Sequence, residues 1–142
     1  EVILNLGWKQ TGNQLFKKQK YAEAKAEYLK GLQCMKLVHG EEEIEIDLNN
    51  NVAMCCLKLG EYEEVIQHTN ATLFCAENKS KPLYRRACAL EEMGDDYMPA
   101  AAQCWSKLCL ENQDPTFLQR RTKIVARLRH KRPELFQHFW ML

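Results

Sequence analysis

Five polar side chains stand out by type and spacing. Lys9 and Asn13 are four residues apart, as are Lys81 and Arg85, and Asn51 opens the phrase Asn51-Val52-Ala53-Met54-Cys55-Cys56-Leu57-Lys58-Leu59. On an α-helix, residues four apart share one face. The first pair therefore offers an ammonium beside a carboxamide, and the second an ammonium beside a guanidinium. Three cations and two amides are equipped to hold anionic oxygens: Lys and Arg make charge-assisted hydrogen bonds to carboxylates, and amides fix the orientation of a peptide backbone. The ligand that suits them is a peptide ending in Asp, whose last residue carries a side-chain and a main-chain carboxylate together. An internal Asp lacks the second carboxylate, so the set discriminates for a chain end. Arg86 either adds a further cation or faces outward, and the spacing leaves both open.

Bond-making chemistry has no comparable candidates. No Ser/His/Asp or Cys/His set, phosphate loop or metal-ligand cluster is visible. The four histidines, at 39, 68, 130 and 138, fall in unrelated places. The seven cysteines, at 34, 55, 56, 75, 88, 104 and 109, are odd in number, contain no C-x-x-C pair and sit mostly within apolar helical patterns. They read as buried free thiols in a reducing compartment. Cys55 and Cys56 point to different sides of a helix, and no His lies at a supporting spacing, which argues against zinc. The expectation is a cytoplasmic or nuclear protein that is not an enzyme and calls for no cofactor.

The elements that must position these residues are helical. Trp8, Leu15 and Phe16 mark an apolar face, Lys20-Tyr21-Ala22 turns the chain, and Tyr21, Ala24, Tyr28 and Leu32 follow at spacings of three and four. Gly60-Glu61-Tyr62-Glu63-Glu64-Val65 repeats that turn, and Gly94-Asp95-Asp96-Tyr97-Met98-Pro99-Ala100 repeats it again with one extra residue. The tyrosines at 21, 62 and 97 are 41 and 35 residues apart. A period of roughly 34 residues, with a helix on each side of every turn, signals a tetratricopeptide array. The first helix of each repeat carries a small residue (Gly12, Ala53, Ala89), and the second carries Ala24, Val65 and Ala100 three residues past its tyrosine. Small residues there let paired helices approach closely. Gly40 ends a helix in the link between repeats one and two, and the following glutamates favour the first turn of the next. Ser80 is the expected N-cap of the fifth helix, with Pro82 in its first turn. The expected fold is all-α. Three tandem hairpins, over about residues 5–38, 44–77 and 80–113, form a right-handed superhelix whose groove is lined by the first helices.

The five polar residues resemble the carboxylate clamp of chaperone-binding tetratricopeptide domains, found in organising co-chaperones and in FKBP- and cyclophilin-type immunophilins. In those families the motif runs Lys-x-x-x-Asn, Asn, Lys-x-x-x-Arg. Here it stands as Lys9-Gln10-Thr11-Gly12-Asn13, Asn51 and Lys81-Pro82-Leu83-Tyr84-Arg85. The phrases from Gly12 to Tyr21 and from Asn51 to Leu59 look most like the immunophilin branch, and the resemblance covers roughly residues 5–115. It implies binding of the terminal Glu-Glu-Val-Asp tail of heat-shock protein 90 or heat-shock protein 70. It also implies a prolyl-isomerase domain preceding residue 1, whose activity would not be encoded here. The alternative is a scaffold that takes a different peptide or partner helix in the same groove.

Charge is unevenly distributed. Residues 116–142 hold seven Lys or Arg and one Glu, a net of +6, while residues 1–115, with thirteen against eighteen, are at −5. Phe117, Ile124, Val125 and Leu128 alternate with Arg120, Arg121, Lys123, Arg127, Arg129, Lys131 and Arg132 in a basic amphipathic pattern. Pro133 interrupts it, and residues 134–142 suit a second short helix. The segment reads as a cover for the last repeat, with its basic face solvated. The sharper alternatives are a calmodulin target, which the resemblance also implies, a membrane-surface element or self-association through Phe139-Trp140-Met141-Leu142. Nucleic acid fits less well, because no base-reading or stacking motif accompanies the cations. No apolar run approaches the roughly 18 residues of a membrane span, and the opening residues 1–6 read as the middle of a longer protein.

Overall fold

Pro82, Pro99, Pro115 and Pro133 all stand in the first turns of helices and Gly60 and Gly94 at turns, while Gly7, Gly12 and Gly31 are carried inside helices. A computed structural model describes residues 2–35, 42–75 and 78–141, with side chains described for 7–35, 42–73 and 78–137. Residues 38–41 of the inter-repeat link, including His39 and Gly40, and the side chains of the 139–142 end lie outside this set. The described residues form helices and turns, and no strand occurs among them. They fall into two compact units, Glu1–Pro82 and Leu83–Leu142, each considered by itself.

The first unit contains α1 (Val2–Lys17), α2 (Tyr21–Met35), α3 (Glu42–Leu59) and α4 (Tyr62–Cys75). Both of its hairpins close in the same way. After α1, the Lys20 N–H donates to the Leu15 carbonyl and the Gln19 N–H to the Phe16 carbonyl, each at 2.9 Å. After α3, the Glu61 N–H donates to Cys56 at 2.8 Å and the Gly60 N–H to Leu57 at 3.3 Å. This is the bond pattern that satisfies the last carbonyls of a helix through one left-handed residue. Gly60 fills that position at φ 77°, and Gln19 fills it at φ 63°. Glu42, Glu43 and Glu45 occupy the first turn of α3, as the helix dipole favours. The small residues do what their size predicts: Gly12 and Ala53 are buried, and a Cβ added at Gly12 would come within 2.5 Å of the Tyr28 ring. Ala24, Tyr28, Leu48, Val52, Cys55, Cys56 and Val65 build the core.

The second unit takes in α5 (Ser80–Met93) from Leu83 onward, a 3₁₀ turn (Asp95–Tyr97), α6 (Met98–Glu111), α7 (Pro115–Lys131) and α8 (Pro133–Met141). Two local expectations change here. The side chain that caps the start of α5 is Asn78, whose Oδ1 accepts from the Ser80 N–H at 3.0 Å, so Ser80 already lies inside the helix. In the third turn the extra residue winds Asp95–Tyr97 into a 3₁₀ turn and shifts the register by one. Met98, 2% exposed, begins α6 as Tyr21 and Tyr62 begin α2 and α4, while Tyr97 is left 43% exposed. The buried small residue three positions on is therefore Ala101 and not Ala100.

Beyond α6, Asp114 caps α7 by accepting from the Thr116 N–H at 2.9 Å, with Pro115 in the first helical position. Ile124 and Leu128 of α7 are buried together with Trp105 and Leu108 of α6. The Trp105 ring meets Tyr84 edge-on at 5.6 Å and Phe117 at 6.1 Å, so one aromatic cluster joins α5, α6 and α7.

Candidate peptide-binding site

Lys9 lies at the middle of α1, and its Nζ makes an ion pair of 2.9 Å with Oδ2 of Asp47 on α3. Asp47 is four residues before Asn51, and Lys9 four before Asn13, so each pair shares a helix face. The ion pair therefore sets the Lys9–Asn13 face of α1 against the Asp47–Asn51 face of α3. Lys9, Asn13 and Asn51 all lie in the first unit, with Lys9 bonded across to the helix that carries Asn51. Asn13 is fixed as well: the buried Tyr28 hydroxyl donates to its Oδ1. With that oxygen engaged, the Asn13 amide N–H groups are the end left to donate to a ligand.

Lys81 is exposed in the first turn of α5, and Arg85, one turn further on, is only 7% exposed. A guanidinium so poorly hydrated makes stronger contacts with any carboxylate that reaches it than a surface lysine does. Arg86, whose direction the spacing left open, faces the Cys104 thiol of α6 and is engaged within the second unit.

Several polar contacts next to these residues escape sequence reasoning. Asp47 is one. His68 of α4 is another, with Nδ1 2.8 Å from Oδ1 of Asn49 on α3. Burial holds the His68 ring below its usual pKa, offset in part by Glu64. Lys25 of α2 reaches Glu61 at 3.0 Å and Glu64 at 2.7 Å, binding the first hairpin to the second. The Lys25 hydrogen bond keeps Glu64 below the ordinary carboxylate range. Ligand atoms of Cys56, Glu61 and Glu64 lie within 4.8 Å of one another, close enough for a metal. The Lys25 ammonium is bonded to both carboxylates and competes with any cation for them, and burial pushes the Cys56 thiol up to about 12.

Helical hairpins closed by a shared turn and small residues where paired helices meet define a tetratricopeptide-repeat domain, a protein-interaction module. Over 93% of its length the chain superimposes on 93% of the C-terminal TPR-containing domain of an FK506-binding protein from Plasmodium falciparum, with a TM-score of 0.78 and 26% identity. In sequence it is 30% identical over 128 residues to the peptidyl-prolyl cis-trans isomerase FKBP42 of Arabidopsis thaliana, a match covering 83% of this chain. It is 39% identical over 87 residues, 56% of the chain, to the peptidyl-prolyl cis-trans isomerase PASTICCINO1 of the same plant. The chain spans 34% of the first of these relatives and 14% of the second. No family model matches it. The chain thus resembles the C-terminal tetratricopeptide domain of FKBP-type proteins. That fold is all-α and non-catalytic. Among the described residues no helix is long and apolar enough to cross a membrane.

Proposed function

We propose that the chain is the chaperone-binding module of a co-chaperone. It takes the C-terminal Glu-Glu-Val-Asp tail of heat-shock protein 90 or heat-shock protein 70 through a carboxylate clamp of Lys9, Asn13, Asn51, Lys81 and Arg85. The observation that carries this reading is the Lys9 ammonium holding a carboxylate oxygen at 2.9 Å, one turn from the exposed Asn13, whose Oδ1 is engaged by Tyr28 and whose amide N–H groups are left to donate. The likeness to FKBP-type proteins supports it. A few contacts to a short flexible peptide correspond to a dissociation constant on the order of micromolar. Replacing Arg85 with Ala removes charged hydrogen bonds worth about 1.5–3 kcal/mol, roughly a tenfold to hundredfold loss of affinity. Anisotropy of a labelled tail peptide measures it, and unchanged affinity would place the ligand elsewhere.

The same reading makes residues 1–115 the three-repeat domain and residues 116–142 its cover, in a reducing cytoplasmic or nuclear setting. Burial of Ile124 and Leu128 favours the cover. So do ion pairs from Arg120 to Glu91, Arg127 to Asp95 and Arg132 to Asp96, which draw part of the basic face inward. A calmodulin-type partner would need that apolar stripe free. If the tail peptide does not bind, the groove serves a different peptide or a partner helix.

A further inference from the structure

We infer that Asp47 is an internal competitor for the proposed ligand: its carboxylate occupies the Lys9 ammonium in the free chain, and an acidic peptide end binds by displacing it. This rests on the clamp reading above. All the residues it uses lie within the first unit, so it needs nothing beyond the α1–α3 contact.

The chemistry is symmetric. Asp47 presents to Lys9 the same group that a C-terminal Asp would present, at the distance of a charge-assisted hydrogen bond. The position of Asp47, one turn before Asn51 on the same face, sets its charge beside the amides that would orient the peptide. Lys9 has three donors and could touch two carboxylates at once. Two carboxylates crowded on one ammonium repel each other, and that repulsion opposes the arrangement. Exchange is the lower-energy route. It is also an accessible one, because the Lys9 and Asp47 side chains are 30% and 54% exposed. Exposed pairs of this kind are weak, so Asp47 moderates binding without closing the site. An Asn at position 47 keeps the size and hydrogen-bonding capacity of the side chain and removes only its charge.

The test is calorimetric titration of the 142-residue chain and its Asp47→Asn, Lys9→Ala and doubly substituted variants with a peptide ending in Met-Glu-Glu-Val-Asp, as free acid and as C-terminal amide. Asp47→Asn is expected to bind the free acid about two- to fivefold more tightly than the parent. In the Lys9→Ala background that gain is expected to shrink to below about twofold, since no paired ammonium remains to be released. Equal or weaker binding by Asp47→Asn would overturn the inference and make Asp47 a group that positions Lys9 for the ligand. A gain that persists without Lys9 would also overturn it, reducing the effect to net charge. If neither the parent nor any variant prefers the free acid, the clamp reading itself fails and this inference with it. That result is distinct from a parent that binds selectively and a variant that binds no better.

Discussion

A Cβ on Gly12 would lie 2.5 Å from the Tyr28 ring, and the hydroxyl of that ring reaches on to Asn13. Packing and site geometry thus meet in one side chain. Gly12→Ala forces the ring to shift and is expected to destabilise the chain by about 1–3 kcal/mol, read as a lowered midpoint in urea. Tyr28→Phe keeps the ring and removes only the hydroxyl, so stability falls by about 1 kcal/mol or less. The freed Asn13 amide can then turn either end to a ligand, and tail-peptide affinity falls severalfold while the far-UV spectrum is retained. His68 supplies the pH dependence. Burial lowers its folded pKa below the unfolded value of 6.5, so folding favours the neutral ring. Its contribution is complete above about pH 6.5 and is lost as pH falls below that, because the unfolded chain then binds the proton more readily. Urea midpoints between pH 7.5 and 5 should fall for the parent and fall less for His68→Gln. At this scale the sequence shows which residues must be small, because size is local. Asp47, Asn49 and Tyr28 are partners across helices, and nothing in their spacing along one helix names the group opposite.

The two hairpins of the first unit end their leading helices with the same pair of hydrogen bonds, but only one has glycine at the left-handed position. Gln19 at φ 63° bears a strain that Gly60 does not. Gln19→Gly is therefore expected to stabilise the chain by roughly 0.5–1 kcal/mol, measured by thermal or urea unfolding. The repeat itself is legible because each turn punctuates a 3.6-residue apolar pattern. The register of the third repeat is not, because Tyr97 looks like Tyr21 and Tyr62 until the extra residue coils the turn and passes the buried position to Met98. That extra residue falls in the Asp95-Asp96 pair whose carboxylates receive Arg127 of α7 and Arg132, the C-cap of that helix. Arg120 ties three elements at once, pairing with Glu91 of α5 and lying 4.6 Å over the Trp105 ring of α6. Arg120→Ala should lower stability by about 2 kcal/mol through the combined loss of the charged bond and the ring contact. A loss under about 0.5 kcal/mol would make α7 an independent appendage.

For the molecule as a whole, the separation of a −5 segment from a +6 one is partly offset by internal pairing. Three of the seven cations after residue 115 are bonded to acidic groups of α5 and of the turn before α6, leaving less charge for polyanions than composition suggests. The proposed work of the chain rests on the polar face of its leading helices and is supported by its likeness to the C-terminal domain of FKBP-type proteins. The central claim is that this face reads a free dicarboxylate chain end. It is tested most directly by calorimetric titration with a Met-Glu-Glu-Val-Asp peptide and the same peptide amidated at its C-terminus, at low and at physiological salt. Saturable binding of the free acid on the order of micromolar, at least tenfold weaker binding of the amide and weakening with salt are the predicted results. Equal binding of the two peptides, or of neither, would contradict the claim.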